Sequence, residues 1–169
     1  RGLTAKAGAL VDMDFTGNLD LVTVGANGEG MEVFRNFGNM YFQKNATSGV
    51  PARVEGAISL SAGDWNSDDL ADLVVNRQSA QPLMLVKERG GSYQSSSDRP
   101  SDWPAADASV SADFNNDLNP DMAFLGGGRL SVDLSSVEVL NEIGTVEGMN
   151  ELHVVDFDND GWTDLLATG

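Results

Sequence analysis

The chain has no cysteine, so disulfides, zinc–thiolate sites and thiol nucleophiles are excluded. It has one histidine, His153, which together with the missing cysteines argues against zinc. No apolar run approaches the roughly 20 residues a membrane helix needs. Lys and Arg number only 10 against 26 Asp and Glu, giving a net charge of -16. Nucleic acid and anionic membrane surfaces both require clustered cations, so both are disfavoured as partners. There is no Ser-His-Asp pattern, Gly-rich phosphate loop or cofactor motif, and no long stretch has helical periodicity. Beginning at Arg1 without a Met or a signal-like segment, the chain reads as a processed or partial piece. At 169 residues and 41% hydrophobic content, it is long and apolar enough for one globular domain.

What is abundant is a nine-residue acidic pattern, present four times. It reads Asp12-Met-Asp-Phe-Thr-Gly-Asn-Leu-Asp20, Asp64-Trp-Asn-Ser-Asp-Asp-Leu-Ala-Asp72, Asp113-Phe-Asn-Asn-Asp-Leu-Asn-Pro-Asp121 and Asp156-Phe-Asp-Asn-Asp-Gly-Trp-Thr-Asp164. The starts are 52, 49 and 43 residues apart, a spacing typical of propellers and other arrays. Thirteen of the 26 acidic residues fall at the first, third, fifth and ninth positions of these stretches, a concentration that points to a local purpose.

The flanks predict strands. Gly8–Val11, Leu60–Gly63, Val110–Ala112 and Leu152–Val155 precede the motifs, and Leu21–Val24, Leu73–Val75, Met122–Leu125 and Leu165–Leu166 come after them. Val11, Gly63, Ala112 and Val155, just before each motif, are of modest size and suit an inner strand near a central axis. Further strands are predicted at Met31–Arg35, Met40–Gln43, Pro82–Val86, Ser92–Gln94, Arg129–Asp133 and Val137–Leu140. The second motif position (Met13, Trp65, Phe114, Phe157) and the tenth (Leu21, Leu73, Met122, Leu165) are always large or aliphatic, and predict packing between neighbouring sheets. The expected fold is all-β: four-stranded antiparallel blades of a β-propeller. The repeats run over 7–53, 54–105, 106–147 and 148–169, the last incomplete. About three and a half blades would leave open sheet edges, so further blades or another chain are expected to cover them.

Oxygen side chains at positions one, three, five and nine suit a hard cation. Calcium takes six to eight oxygens, whereas magnesium resists dehydration and rarely uses an all-protein cage. The predicted ligands are Asp12, Asp14, Thr16 and Asp20; Asp64, Asn66, Asp68 and Asp72; Asp113, Asn115, Asp117 and Asp121; and Asp156, Asp158, Asp160 and Asp164. Position seven would add the backbone carbonyls of Asn18, Leu70, Asn119 and Trp162. Up to four structural calcium ions are expected, which would bring the net charge to -8. An EF-hand is excluded, because its twelfth-position Glu is here Thr23, Val75, Phe124 or Ala167. The fourth site, with four carboxylates and Gly161 at the sharp turn, is expected to be the best. The third is expected to be the weakest, since Leu118 is ill suited to a left-handed backbone and Pro120 stiffens the adjoining turn. The competing reading is that these are ordinary Asp/Asn/Gly turns between strands.

Asp156-Phe-Asp-Asn-Asp-Gly-Trp-Thr-Asp-Leu-Leu166 resembles the calcium loop of FG-GAP/VCBS repeats, the blades of integrin-α-type propellers, and the other three motifs match with the substitutions above. Asn36-Phe-Gly38 carries the Phe-Gly part of the family's name motif, and no clear Gly-Ala-Pro occurs. The resemblance implies a propeller, commonly seven-bladed, with structural calcium on loops within each blade. It implies a non-enzymatic scaffold, adhesion or protein-interaction role at an extracellular, periplasmic or cell-surface location.

Two other functions compete with this one. Trp103, in Pro100-Ser-Asp-Trp-Pro104, could stack on a sugar face, with Tyr41 and Tyr93 as further aromatics. A Trp between Pro-rich turns more often packs. A secreted hydrolase is the third reading, but His153 lies in an apolar strand and reads as a packed residue. Asn45-Ala-Thr47 fits an N-glycosylation acceptor.

Overall fold

A computed structural model describes residues 4–26, 30–45, 48–96, 102–135 and 140–169. Among these there are fourteen strands and no helix. The first sheet holds β1 (Ala5–Val11), β2 (Asp20–Gly25), β3 (Met31–Asn36) and β4 (Phe42–Lys44). The second holds β5 (Ala57–Gly63), β6 (Asp72–Arg77), β7 (Ala80–Lys87) and β8 (Tyr93–Ser95). The third holds β9 (Ala108–Ala112), β10 (Asp121–Gly126), β11 (Arg129–Asp133) and β12 (Leu140–Thr145). The fourth holds β13 (Glu151–Val155) and β14 (Asp164–Thr168). Every sheet is antiparallel, with strands side by side in chain order. Successive sheets meet along their first strands, β1 on β5, β5 on β9 and β9 on β13.

Strand periodicity of two explains the core. In β6, Leu73 and Val75 point into the layer shared with the first sheet, where Val22, Val24 and Val33 lie. Val74 points the other way, into a layer with Trp103, Met122 and Phe124. In β10 the alternation continues: Ala123 and Leu125 enter a third layer with Leu130, Val132 and Leu152. Both faces of β6 and β10 are thus covered, which is why these strands read as unbroken apolar runs. Burying a side chain such as Phe124 stabilises the fold by about 1.5–3 kcal/mol.

The expected strands are found, with two displacements. Met40 lies in the turn before β4, with φ 62°, rather than in the strand. The fourth strand of the third sheet is described over Leu140–Thr145, beyond the expected Val137–Leu140, of which residues 137–139 lie outside the described residues. β12 is an edge strand held by backbone pairing to β11, from Asp133↔Leu140 to Arg129↔Thr145. Its side chains are largely exposed, Ile143 included, so no apolar pattern marks it. Pro82 is accommodated in β7 because the pairing with β6 is irregular between Leu83↔Val75 and Ala80↔Arg77, where a missing N–H is tolerated.

The second-position packing holds for Met13, Trp65 and Phe114 but fails for Phe157, which is 74% exposed. No described sheet covers that face of the fourth sheet. The same reason exposes His153, expected to be packed: β13 turns it to the uncovered side, near Glu151 (3.6 Å) and Thr168 (3.4 Å).

Candidate functional site: four acidic loops

Each acidic stretch joins the first strand of a sheet to the second, and all four loops share one backbone. The fourth position is left-handed in every loop: Phe15 (φ 59°), Ser67 (56°), Asn116 (57°) and Asn159 (58°). So is the sixth: Gly17 (80°), Asp69 (67°), Leu118 (69°) and Gly161 (88°). Leu118, expected to resist this conformation, adopts it, because the loop's hydrogen bonds prescribe the turn.

Those bonds begin at the first Asp, whose two oxygens accept the N–H groups of positions five and six. Asp12 accepts Thr16 (3.2 Å) and Gly17 (2.8 Å), and Asp64 accepts Asp68 (3.0 Å) and Asp69 (2.9 Å). Asp113 accepts Asp117 (3.1 Å) and Leu118 (2.9 Å), and Asp156 accepts Asp160 and Gly161 (both 3.1 Å). Burial works against the charged form of Asp12, yet the N–H groups of Gly17, Thr16, Asp14 and Phe15 prevail and hold its carboxyl below the usual range. The fifth-position Asp68, Asp117 and Asp160 in turn accept the seventh-position N–H of Leu70, Asn119 and Trp162 at 2.8–2.9 Å. Asn18, the remaining seventh-position residue, is partly buried.

The ninth Asp closes the loop. One oxygen accepts the second-position N–H: Asp20 from Met13 (3.2 Å), Asp72 from Trp65 (3.1 Å), Asp121 from Phe114 and Asp164 from Phe157 (both 2.9 Å). The other oxygen reaches the third strand or the residues just past it. Asn36, Lys87 and Ser135 donate their N–H to Asp20, Asp72 and Asp121, each at 2.8 Å. Asp20, Asp72 and Asp121 are almost wholly buried. Burial pushes the Asp72 carboxyl up; the Lys87 and Trp65 N–H groups oppose that, and the charges of Asp68 and Asp64 add to it. Sequence reasoning did not find the left-handed fourth position or these third-strand partners. Asn116 and Asn159, which tolerate left-handed backbone, were the available signal for the former.

The loops differ at position three. Asp12, Asp14 and Asp20 each offer a carboxylate oxygen within 4.8 Å of the others, as do Asp156, Asp158 and Asp164. Asp158 also accepts the Asp160 N–H at 3.1 Å. In the second and third loops an Asn stands there, and its amide is satisfied inside the loop. Asn66 accepts the Asp68 N–H (3.2 Å) and donates to the Asp68 carboxylate (3.1 Å); Asn115 does the same with Asp117 (3.0 and 2.9 Å). The amide hydrogens there occupy oxygens a cation would use. Both Asp14 oxygens are buried without a hydrogen-bond donor. Arg35 Nε lies 2.5 Å from Asp14 Oδ2 in an ion pair. Thr16 at position five supplies no carboxylate. The donor set of the first and fourth loops is therefore all oxygen and suits a hard cation.

No family model matches the chain, and no curated protein matches it.

The remaining candidates are structural or surface residues. Trp103 is 3% exposed, packs on Phe124 (ring centroids 4.9 Å) and Trp65 (6.2 Å), and donates its indole N–H to Asp133 (2.5 Å). It has no face for a sugar. Tyr93 is buried, with its hydroxyl donating to the Ala71 carbonyl at 2.8 Å. Tyr41 is exposed and tilts against Phe37. In the acceptor triplet, Ala46 and Thr47 lie outside the described residues, as do Pro100 and Ser101 beside Trp103. No described helix is long and apolar enough to cross a membrane.

Proposed function

We propose that the chain is a calcium-binding, non-enzymatic β-propeller module that serves as a scaffold or as a protein-interaction or adhesion unit outside the cytoplasm. Its four antiparallel sheets, abutting along their first strands, are read as about three and a half blades of a larger propeller. The observation that carries the proposal is the recurrence of one loop backbone in four sheets, with carboxylates turned inward and two sets of three within 4.8 Å. Ordinary Asp/Asn turns need neither the same pair of left-handed positions nor convergent acids.

Asp12, Asp14 and Asp20 would hold one ion, and Asp156, Asp158 and Asp164 another, with Asp160 as the fifth-position ligand expected from the sequence. Calcium would supply the charge that offsets carboxylate repulsion within each loop. The loops built on Asn66 and Asn115 are weaker candidates. The residues already hydrogen-bonded to backbone fix the loop shape, so the ion fastens the connection between first and second strands. Millimolar calcium outside cells matches sites of this kind.

Calcium titration of the chelator-stripped chain tests this. Heat of binding and a higher melting temperature are expected, both reduced by Asp158→Asn and by Asp14→Asn. A folded sample giving neither heat nor a melting shift would sink the proposal.

A further inference from the structure

The loop-bearing end of the first sheet carries apolar side chains that its backbone does not call for. Phe15 is 61% exposed at a left-handed position, where the other loops have Ser67, Asn116 and Asn159. An aromatic gains little there and strains the backbone.

The turn between β3 and β4 repeats the anomaly. The Phe37 N–H donates to the Tyr41 carbonyl at 2.9 Å, as the Glu88 N–H does to the Ser92 carbonyl at 2.8 Å in the second sheet. The two turns occupy equivalent places, since Asn36 and Lys87 before them both donate to a ninth-position Asp, although Gly38, Asn39 and Met40 are all left-handed in the first and only Gly91 is in the second. The second sheet uses Glu88-Arg-Gly-Gly-Ser92; the first uses Phe37-Gly-Asn-Met-Tyr41. Met40 has φ 62° and is 85% exposed where Gly91 has φ 85°.

An ion pair links the acidic loop to this turn. The Phe37 and Tyr41 ring centroids are 5.9 Å apart. The Arg35 guanidinium sits 5.0 Å from the Phe37 centroid and pairs with Asp14, the neighbour of Phe15. The Lys87 ammonium lies 5.5 Å from the Phe15 centroid. The Asn36 amide donates to the carbonyl of Leu19, itself half exposed.

We infer that this end of the first sheet is a docking surface for a basic protein segment carrying apolar side chains. Exposed aromatics, Met and Arg are the residues that dominate protein interfaces. Charge selects among partners. The chain carries -16, and would still carry -8 with four calcium ions bound; the two cations beside these side chains are committed, Arg35 to Asp14 and the buried Lys87 to the Met13 carbonyl. A basic segment is therefore attracted, while an acidic protein, an anionic bilayer or a second copy is repelled. The inference rests on the interaction-module reading above and does not require calcium.

A random-peptide display library selected on the whole chain tests it. The comparison is a variant carrying Phe15→Asn, Met40→Gly and Tyr41→Ser, each a residue found at the equivalent position of another sheet. Enriched peptides are expected to combine Lys or Arg with aliphatic or aromatic residues and to weaken with salt. They should lose at least about tenfold in affinity for the variant. The variant's thermal melt checks its fold, and Met40→Gly with Tyr41→Ser serves if Phe15→Asn lowers it. Binders indifferent to the substitutions, or acidic ones, overturn this face alone. Phosphatidylserine vesicles that bind the parent but not the variant would reassign it to a membrane. Self-association in sedimentation, lost in the variant, would reassign it to a second copy. Either overturns the inference. No enriched binder on any face overturns the interaction-module reading with it.

Discussion

The Ser135 N–H donates to Asp121 Oδ1 at 2.8 Å, so the last residue of the third acidic loop is fastened just beyond the end of β11. The Ser135 hydroxyl adds a second contact at 3.2 Å, and the other Asp121 oxygen holds Phe114 N–H. One buried carboxylate thereby couples loop, second strand and third strand without any ion. The fourth sheet has two strands, and among the described residues the Asp164 carboxylate accepts one hydrogen bond, from the Phe157 N–H.

The two positions should therefore respond differently to truncation. Asp121→Ala in excess chelator should destabilise the chain by about 2–4 kcal/mol, since buried N–H groups lose a charged acceptor. Asp164→Ala should lose less than about 1 kcal/mol, because its donor is exposed and rehydrates. Urea unfolding of both variants measures this, and equal losses would show that third-strand fastening is not what the ninth Asp does.

Leu118 is 93% exposed and held at φ 69°. It gives the fold no burial and bears the left-handed penalty. Leu118→Gly should stabilise by about 1 kcal/mol, read as a higher urea midpoint at an unchanged slope. A lower midpoint would mean that the leucine makes a contact absent from this structure.

Asp133 is 9% exposed beneath Trp103. Burial pushes its carboxyl above 3.8; the Trp103 N–H opposes this, and Asp102 and Asp121 reinforce it. The folded state thus keeps a proton that the unfolded chain has released, and stability falls as pH rises from 3.8 through the raised value. Asp133→Asn retains an acceptor for the indole and removes this penalty. The variant should exceed the parent in stability at neutral pH, with the gap closing as pH falls towards 3.8. Urea midpoints in chelator across that range provide the check; a gap independent of pH would contradict it.

Much of this was legible in the chain because strands covered on both faces announce themselves. Leu73–Val75 and Met122–Leu125 could be placed directly, and the acidic stretches marked the connections between them. β12 was not legible, since an edge strand is held by backbone pairing that leaves its composition free. Phe157 and His153 were misjudged because their packing depends on a neighbouring sheet, which local pattern does not reveal. The shape of the loops was half legible. Glycine flagged the sixth position in two of them, but the left-handed fourth position is hidden behind Phe15 and Ser67. Trp103 resolved towards packing because its indole finds Asp133, thirty residues on, a pairing no short-range spacing could indicate.

Because each sheet is buried chiefly by its neighbours in chain order, cohesion in this molecule is handed from interface to interface rather than pooled in one centre. Opening should then travel as an unzipping from the two-stranded fourth sheet inwards. The amides of β14 would exchange with solvent first, and those of β6, enclosed on both sides, last.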